Sequence, residues 1–341
     1  MISKYGLLSV ALAAAMLLPV SCRKEETIVP PTRTEVTDPG EAGEIAGFFL
    51  LNEGNMGSNK ATLDYFDYET GVYTKNIYAE RNPGVVKELG DVGNDIQIHG
   101  DKLYAVINCS HFVEVMDVRT ARHITQISIP NCRYIAFKGR YAYVSSYAGP
   151  VQIDPNARLG CIAKVDTVTM QVVGECTVGY QPEEMVIAGN KLYVANSGGY
   201  RVPDYDRTVS VVDLDTFREI RKIDVAINLH RMELDDNGMI WVSSRGDYYG
   251  NHSATYVIDS RTDQVIERLE LLPNGNMTLC DGRLYVYSTE WNYQTQSNTV
   301  TYATVDVDTR RILTRNFITD GTDKEIRVPF GLAVNPVTHE I

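Results

Sequence analysis

The sequence is poor in the features that mark a chemical centre. It has 341 residues and only six cysteines, none in a C-x-x-C pair, which removes the zinc-ribbon and dithiol redox readings. No Gly-x-Ser-x-Gly, no His-Glu-x-x-His and no glycine-rich phosphate loop occurs, so the sequence marks of common hydrolases and nucleotide-binding enzymes are missing. Histidine is scarce at six, and no second His stands at metal-ligand spacing from His230, which argues against a metal or other resident cofactor there. Positive charge is also short. The 32 Lys and Arg face 44 Asp and Glu for a formal net charge of −12, a poor basis for binding nucleic acid or an anionic lipid surface. No apolar run is long enough to cross a bilayer as a helix. What is abundant is Tyr, at 21, and Gly, at 26, a composition of many short strands and tight turns.

Those strands recur with a steady period. An Asp is followed three residues later by a Thr at Asp67-Thr70, Asp117-Thr120, Asp166-Thr169, Asp213-Thr216, Asp259-Thr262 and Asp306-Thr309, in steps of 50, 49, 47, 46 and 47 residues. Each Asp ends an alternating apolar run, such as Val209 to Asp213, and each Thr opens another, such as Glu219 to Val225. The unit therefore holds a hairpin whose turn is satisfied by side-chain-to-backbone hydrogen bonds. A second series pairs a tight glycine turn with an aromatic-led strand, at Gly100–Tyr104, Gly139–Tyr143, Gly189–Tyr193, Gly238–Trp241 and Gly282–Tyr285, with Phe48–Leu51 as a divergent first copy. Short apolar strands precede most of them, at Asn94–Ile98, Pro130–Phe137, Pro182–Ile187, Asn228–Leu234, Pro273–Leu279 and Pro329–Val334. One repeat is four strands in about 47 residues, the size of a propeller blade. Six aromatic-led strands, and a further apolar strand at 329–334, predict an all-β, seven-bladed β-propeller with its seventh blade truncated. An open six-blade array is the alternative.

The first residues stand outside this repeat. Lys4 followed by the apolar core Leu7–Leu18 predicts a secretion signal over residues 1–21. The sequence Leu-Leu-Pro-Val-Ser-Cys22 resembles the lipobox of bacterial lipoproteins, with Pro19 where Leu is usual, and implies a lipid on Cys22. Residues 22–45 are polar and proline-containing, which predicts a disordered tether, and 46–341 form one propeller domain. Lys24-Glu25-Glu26 resembles the export signal that sends lipoproteins of Bacteroidota to the cell-surface face of the outer membrane. Removing 1–21 takes away Lys4 and no acid, so the expected link to the membrane is the lipid alone. Cys161 and Cys176 flank the Asp166-Thr169 turn almost symmetrically. They can pair across a hairpin or remain buried free thiols.

The candidate site lies among long connections of one rim, at Asn52–Thr62, Ser145–Gly160, Asn196–Arg207, Ser243–Ser253 and Ser288–Thr299, because function concentrates in long loops on rigid scaffolds. They carry Tyr147, Tyr200, Tyr205, Tyr248, Tyr249, Trp291 and Tyr293. Aromatics of this kind either wall a bulky amphipathic ligand or pack loop against loop. Strand starts on the same rim add Asn94, Asp95, Arg133, Glu183, Glu184, His230, Arg231, Asn276 and Phe330, donors and acceptors that either meet a ligand or plug the channel with one another.

The blade pattern, as in Gly189 to Asn196 followed by Thr208 to Thr216, resembles YncE-like (YVTN, surface-layer-type) propellers over residues 46–341. Leu51-Asn-Glu-Gly-Asn-Met-Gly57, Ala61-Thr-Leu63 and Leu89-Gly-Asp-Val92 are more narrowly similar to propeller lipoproteins of Bacteroidota, among them the BtuG-type cobalamin-binding lipoproteins. That resemblance implies surface capture of a corrinoid, whose apolar faces and amide rim suit aromatic walls and polar donors, and transfer to a TonB-dependent outer-membrane transporter. A surface scaffold for a protein or glycan is the second expectation. A hydrolase using acid pairs such as Glu183-Glu184 or Asp204/Asp206 is a third, and the weakest, since adjacent loop carboxylates are ordinarily solvated.

Overall fold

The computed structural model describes residues 29–36, 43–85, 88–247, 250–270, 275–292, 296–318 and 329–341, and of 290–292 the backbone alone. Residues 1–28 and 37–42, and with them the whole of the expected leader, Cys22 and much of the expected tether, lie outside the described residues. Among the described residues twenty-four strands form six four-stranded antiparallel sheets. The first contains β1 (Thr32–Glu35), β2 (Gly47–Asn52), β3 (Thr62–Asp67) and β4 (Val72–Lys75) and is followed by the short helix α1 (Ile77–Arg81). The second runs through β5 (Gly93–His99), β6 (Lys102–Ile107), β7 (Phe112–Asp117) and β8 (His123–Ser128), and the third through β9 (Cys132–Lys138), β10 (Tyr141–Ser146), β11 (Cys161–Asp166) and β12 (Gln171–Thr177). The fourth holds β13 (Pro182–Ala188), β14 (Lys191–Asn196), β15 (Thr208–Asp213) and β16 (Arg218–Asp224). The fifth holds β17 (Leu229–Leu234), β18 (Met239–Ser244), β19 (Ala254–Asp259) and β20 (Gln264–Leu269), and the sixth β21 (Asn276–Cys280), β22 (Arg283–Asn292), β23 (Ser297–Asp306) and β24 (Ile312–Thr314).

In the last five sheets the strands are paired in chain order, and the innermost strands β5, β9, β13, β17 and β21 touch in succession. The hydrophobic core lies between neighbouring blades rather than within one. Tyr104, Val106 and Val115 of the second blade pack on Cys132, Ile135, Val144 and Ala163 of the third, and Trp241 of the fifth packs on Met277, Leu284 and Ala303 of the sixth. Alternation along each strand gives both sheet faces an apolar side to bury, as face-to-face packing requires.

The Asp-x-x-Thr turns form as the sequence predicts. Asp213 Oδ1 accepts from the Thr216 N–H at 2.8 Å and its hydroxyl at 2.7 Å, and Asp117 and Asp306 do the same for Thr120 and Thr309. The residue after each Thr is left-handed: Gly71, Ala121, Met170, Phe217, Asp263 and Arg310 all have φ between 51° and 65°.

The sheet count departs from expectation. Six blades are present among the described residues, and 329–341 add no strand to make a seventh. A strand needs a ladder partner, and 329–341 have none among the described residues; the Phe330 carbonyl accepts from Tyr287 Oη of the sixth blade at 2.5 Å. Asn335 does repeat the Asx turn, accepting from Val337 and Thr338 N–H at 2.9 and 3.2 Å, and its own N–H donates to the Glu340 carbonyl. Two further differences concern strand extent. Residues 32–35, expected within the tether, pair as β1 with β4, and much of the expected loop Ser288–Thr299 is a continuous β22–β23 ladder reaching Asn292 and Ser297.

A bulge recurs in the outer ladder of the last five blades, at Val115/Met116, Lys164/Val165, Val211/Val212, Val257/Ile258 and Thr304/Val305. The first sheet has none between β3 and β4, and there β1 covers the edge. Beside the bulges Ile124, Val173, Ile220, Ile266 and Leu313 are exposed.

The bulge in the third blade also decides the cysteine question. Near the turn Val165 lies opposite Val172, a register that would bring Cys161 to Cys176, but past the bulge Cys161 faces Thr177 and Ile162 faces Cys176. The one-residue slip puts the two thiols on opposite sheet faces, and both are free. Alkylation of the unfolded protein without reductant should therefore label Cys161 and Cys176 fully, and a bridged tryptic peptide in the mass spectrum would refute this register.

Candidate functional site

The start of each inner strand lies beside the end of the second strand, where the long loops depart: Gly93 pairs with Ile107, Cys132 with Ser146, Pro182 with Asn196 and Leu229 with Ser244. In these four blades the inner ladder is irregular just after that first pair. The irregularity falls on Asn94, with Asp95 the next paired residue, and on Arg133/Tyr134, Glu183/Glu184 and His230/Arg231. Bulges re-aim side chains and release backbone groups. Here the freed Tyr134 and Arg231 N–H groups donate to Ser145 and Ser243 Oγ, both at 3.0 Å.

The side chains then join blade to blade. Asn94 Nδ2 donates to the Arg133 carbonyl, and Asp95 Oδ2 accepts from the Ile135 N–H at 2.9 Å. Arg133 donates through Nε and Nη2 to Glu183 Oε2 at 3.1 and 3.0 Å, while Glu183 Oε1 accepts from Tyr147 and, at 3.4 Å, from Ser197. Glu184 accepts from Arg231 Nη1 at 3.2 Å and from the Met232 N–H at 2.8 Å. Tyr134 Oη and Arg245 Nη2 both meet His230 Nε2, at 3.0 and 2.8 Å. The guanidinium carbon of Arg231 lies 5.3 Å from the Tyr134 ring centre and that of Arg133 5.1 Å from Tyr147, within cation–π range.

This environment moves several ionisations. Burial raises the Asp95 and Glu184 carboxyls despite their hydrogen bonds and the Arg231 charge. Burial pushes Tyr134 up to about 12. Burial, with Arg245, Arg231 and Arg133 adding like charge, holds the His230 imidazole well below its ordinary range. Arginine only donates, so the neutral His230 accepts at Nε2 and carries its proton on Nδ1, which is buried without a partner among the described residues. Glu53 is raised by burial against the opposing pull of Arg133 and Arg245. Glu233 is half-buried, and withheld solvation and the nearby Glu184 charge push it to about 8.

Of the residues proposed from sequence, Asn94, Arg133, Glu183, His230 and Arg231 come together at the mouth, together with Asp95 and Glu184. Asn276 instead bonds locally, its Oδ1 accepting from the Met277 N–H at 2.9 Å, and Phe330 is exposed. Tyr147 is buried inside the network and not free on the rim. Tyr200 is half-buried and meets Tyr147 edge-on at 6.1 Å, and Tyr205 is half-buried in the same loop. Tyr248, Tyr249 and Tyr293 lie outside the described residues, as does the side chain of Trp291. Sequence reasoning missed Tyr134, Arg245, Glu53 and Glu233. Arg245 had a signal: its N–H donates to the Asn228 carbonyl as Tyr147 donates to Asn131 and Ser197 to Gln181, so it is the fifth blade's copy of a position already chosen in the third.

Among the described residues no three His, Cys, Asp or Glu side chains gather to hold a metal, and no helix is long and apolar enough to cross a membrane. The fold and mouth define an all-β propeller with a polar, cross-linked channel entrance. The chain belongs to the family described as a domain of unknown function (DUF5074), whose match covers residues 46–341. No curated protein matches it. Among solved structures, Kuenenia stuttgartiensis hydrazine synthase is similar at TM-score 0.54 and 16% identity over 63% of this chain and 62% of that one, so the match spans less than two thirds of either. BamB from Moraxella catarrhalis is similar at 14% identity and TM-score 0.46 over 78% of this chain and 75% of that one. The computationally designed Ika8 protein has 12% identity and TM-score 0.46 over 67% and 62%. At such identities the likeness concerns fold alone.

Glu233 yields a pH test. Folding raises its carboxyl from 4.5 to about 8, so the folded state binds more protons than the unfolded one in that window. The stability it contributes is complete below about 4.5 and is lost as pH rises through about 8. His230 acts in the opposite sense, losing stability as pH falls through 6.5. In urea titrations Glu233→Gln should match the parent at acid pH and exceed it at pH above about 8; superimposable pH profiles would refute the burial of this carboxyl.

Proposed function

We propose that this chain is a non-enzymatic binding propeller that holds a ligand at the channel mouth, and that a lipid on Cys22 anchors it at the cell-surface face of the outer membrane. The observation that supports binding is the set of polar groups the fold leaves unused. His230 Nδ1, Asn228 Oδ1 and Gln181 Oε1 are buried without partners among the described residues, although buried polar groups are normally paired. They lie around the same entrance: Arg245 N–H donates to the Asn228 carbonyl, Ser197 N–H to the Gln181 carbonyl, and Arg245 Nη2 to His230. A ligand rich in donors and acceptors would complete them.

Binding fits better than acid–base chemistry. Glu183 and Glu184 are each committed to an arginine, so neither stands as a free partner for a proton relay. Within this reading a corrinoid is the first ligand to try, because its amide rim matches unpaired groups of both polarities and Tyr200 offers an aromatic wall beside them. A TonB-dependent transporter is then the expected recipient. A glycan or protein would use the same rim.

The full-length protein in detergent should bind one member of a panel of cobalamin, haem and oligosaccharides saturably. Tyr200→Ala should weaken that binding by about 2 kcal/mol, roughly thirtyfold, with little change in melting temperature. Absence of binding across the panel would leave the small-ligand reading without support and favour a protein partner. Cys22→Ala should move the protein from the membrane to the soluble fraction; retention in the membrane would end the lipid-anchor proposal.

A further inference from the structure

Three arginines surround the entrance, and two have their own carboxylates: Arg133 holds Glu183 and Arg231 holds Glu184. The third, Arg245, has no Asp or Glu within ion-pair distance among the described residues, and its hydrogen bond is to the neutral Nε2 of His230. A neutral acceptor orients a guanidinium without cancelling its charge. Whichever hydrogen of Nη2 His230 accepts, one pair of parallel N–H donors on Arg245 remains, the fork that matches a carboxylate or phosphate.

The support beneath Arg245 is rigid. Its N–H donates to the Asn228 carbonyl at 3.0 Å, Asn228 Nδ2 donates to the Gly246 carbonyl at 3.0 Å, and Ser244 Oγ donates to the Ile227 carbonyl at 2.7 Å. His230 is itself fixed between Arg245 and Tyr134 and is 6% exposed. Arg245 is half-buried and keeps part of its surface in solvent. Glu53 lies close enough to feel Arg133 and Arg245 but forms no ion pair with either among the described residues.

We infer that the mouth binds an oxyanion, the carboxylate or phosphate group of its ligand, on the guanidinium of Arg245, with His230 as the positioning residue. This rests on the mouth being the ligand site and specifies the chemistry it selects. Glu53 is the internal competitor: its negative charge faces the same guanidinium, so neutralising it should strengthen anion binding, an effect that a merely structural Arg245 would not produce.

The test uses the full-length protein at constant ionic strength in chloride, titrated calorimetrically with acetate, succinate or inorganic phosphate. Saturable binding is expected, with the preferred anion showing whether carboxylate or phosphate is the natural group. Arg245→Gln should weaken it about tenfold or more, Arg245→Lys should retain part of it because charge survives while the fork is lost, and Glu53→Gln should tighten it. Circular dichroism and the melting midpoint in chloride alone check that each variant folds, and His230→Gln supplies a second variant if Arg245→Gln does not. No saturable anion binding by the parent, or equal binding by parent and Arg245→Gln, overturns the assignment. If a member of the ligand panel binds parent and Arg245→Gln equally, the oxyanion assignment falls while the mouth remains a ligand site; a parent protein that binds neither the anions nor any member of the panel removes the site itself.

Discussion

A carboxylate reaching from one inner strand to the backbone of the next is the contact on which the centre of this propeller depends. Asp95 accepts from the Ile135 N–H and Glu184 from the Met232 N–H, each across a blade boundary. The inner ladders are irregular there, and an N–H left unpaired in the interior carries a penalty of roughly 1–3 kcal/mol. The same carboxylates that fix neighbouring blades must themselves be desolvated, which explains why burial raises both of them. The arginines beside them limit that penalty. Stability and polarity at the entrance are therefore one problem with one solution, and the groups outside that solution, Arg245 foremost, are those left for a partner.

Much of the fold was legible because its signals are local. The Asp-x-x-Thr turns need only four residues, and the bonds from Asp213 to Thr216 are contained within them. Alternating runs such as Val209–Asp213 carry their own face assignment. Bulges carry no such signal, since an inserted residue leaves the composition of a strand unchanged. That is why the symmetric placement of Cys161 and Cys176 left pairing and free thiols both open: the slip that separates them lies between Lys164 and Val165, where nothing in the sequence marks it. The pairing of Thr32–Glu35 with β4 escaped for a different reason, because an exposed polar strand has no apolar alternation to betray it.

The site was half legible. Polar residues at the starts of apolar strands are anomalous enough to single out, and Arg133, Glu183, His230 and Arg231 were visible on that ground. Whether such residues face a ligand or each other depends on distances between blades, which a single sequence does not contain. The structure answers in favour of mutual pairing for Arg133 with Glu183 and Arg231 with Glu184. It also draws Tyr147 inward from the rim, where its type alone suggested an exposed role.

The outer bulges bear on how the molecule behaves in a crowd of its own copies. A blade's last strand is a sheet edge carrying exposed Val173, Ile220, Ile266 or Leu313, a combination that invites another chain to extend the sheet. Five blades distort that border with an extra residue, and the remaining one occupies it with β1. Among the described residues the straight outer border that remains is β1, four exposed polar residues, a short and charged template for fibre-like growth, so high local density need not lead to polymerisation.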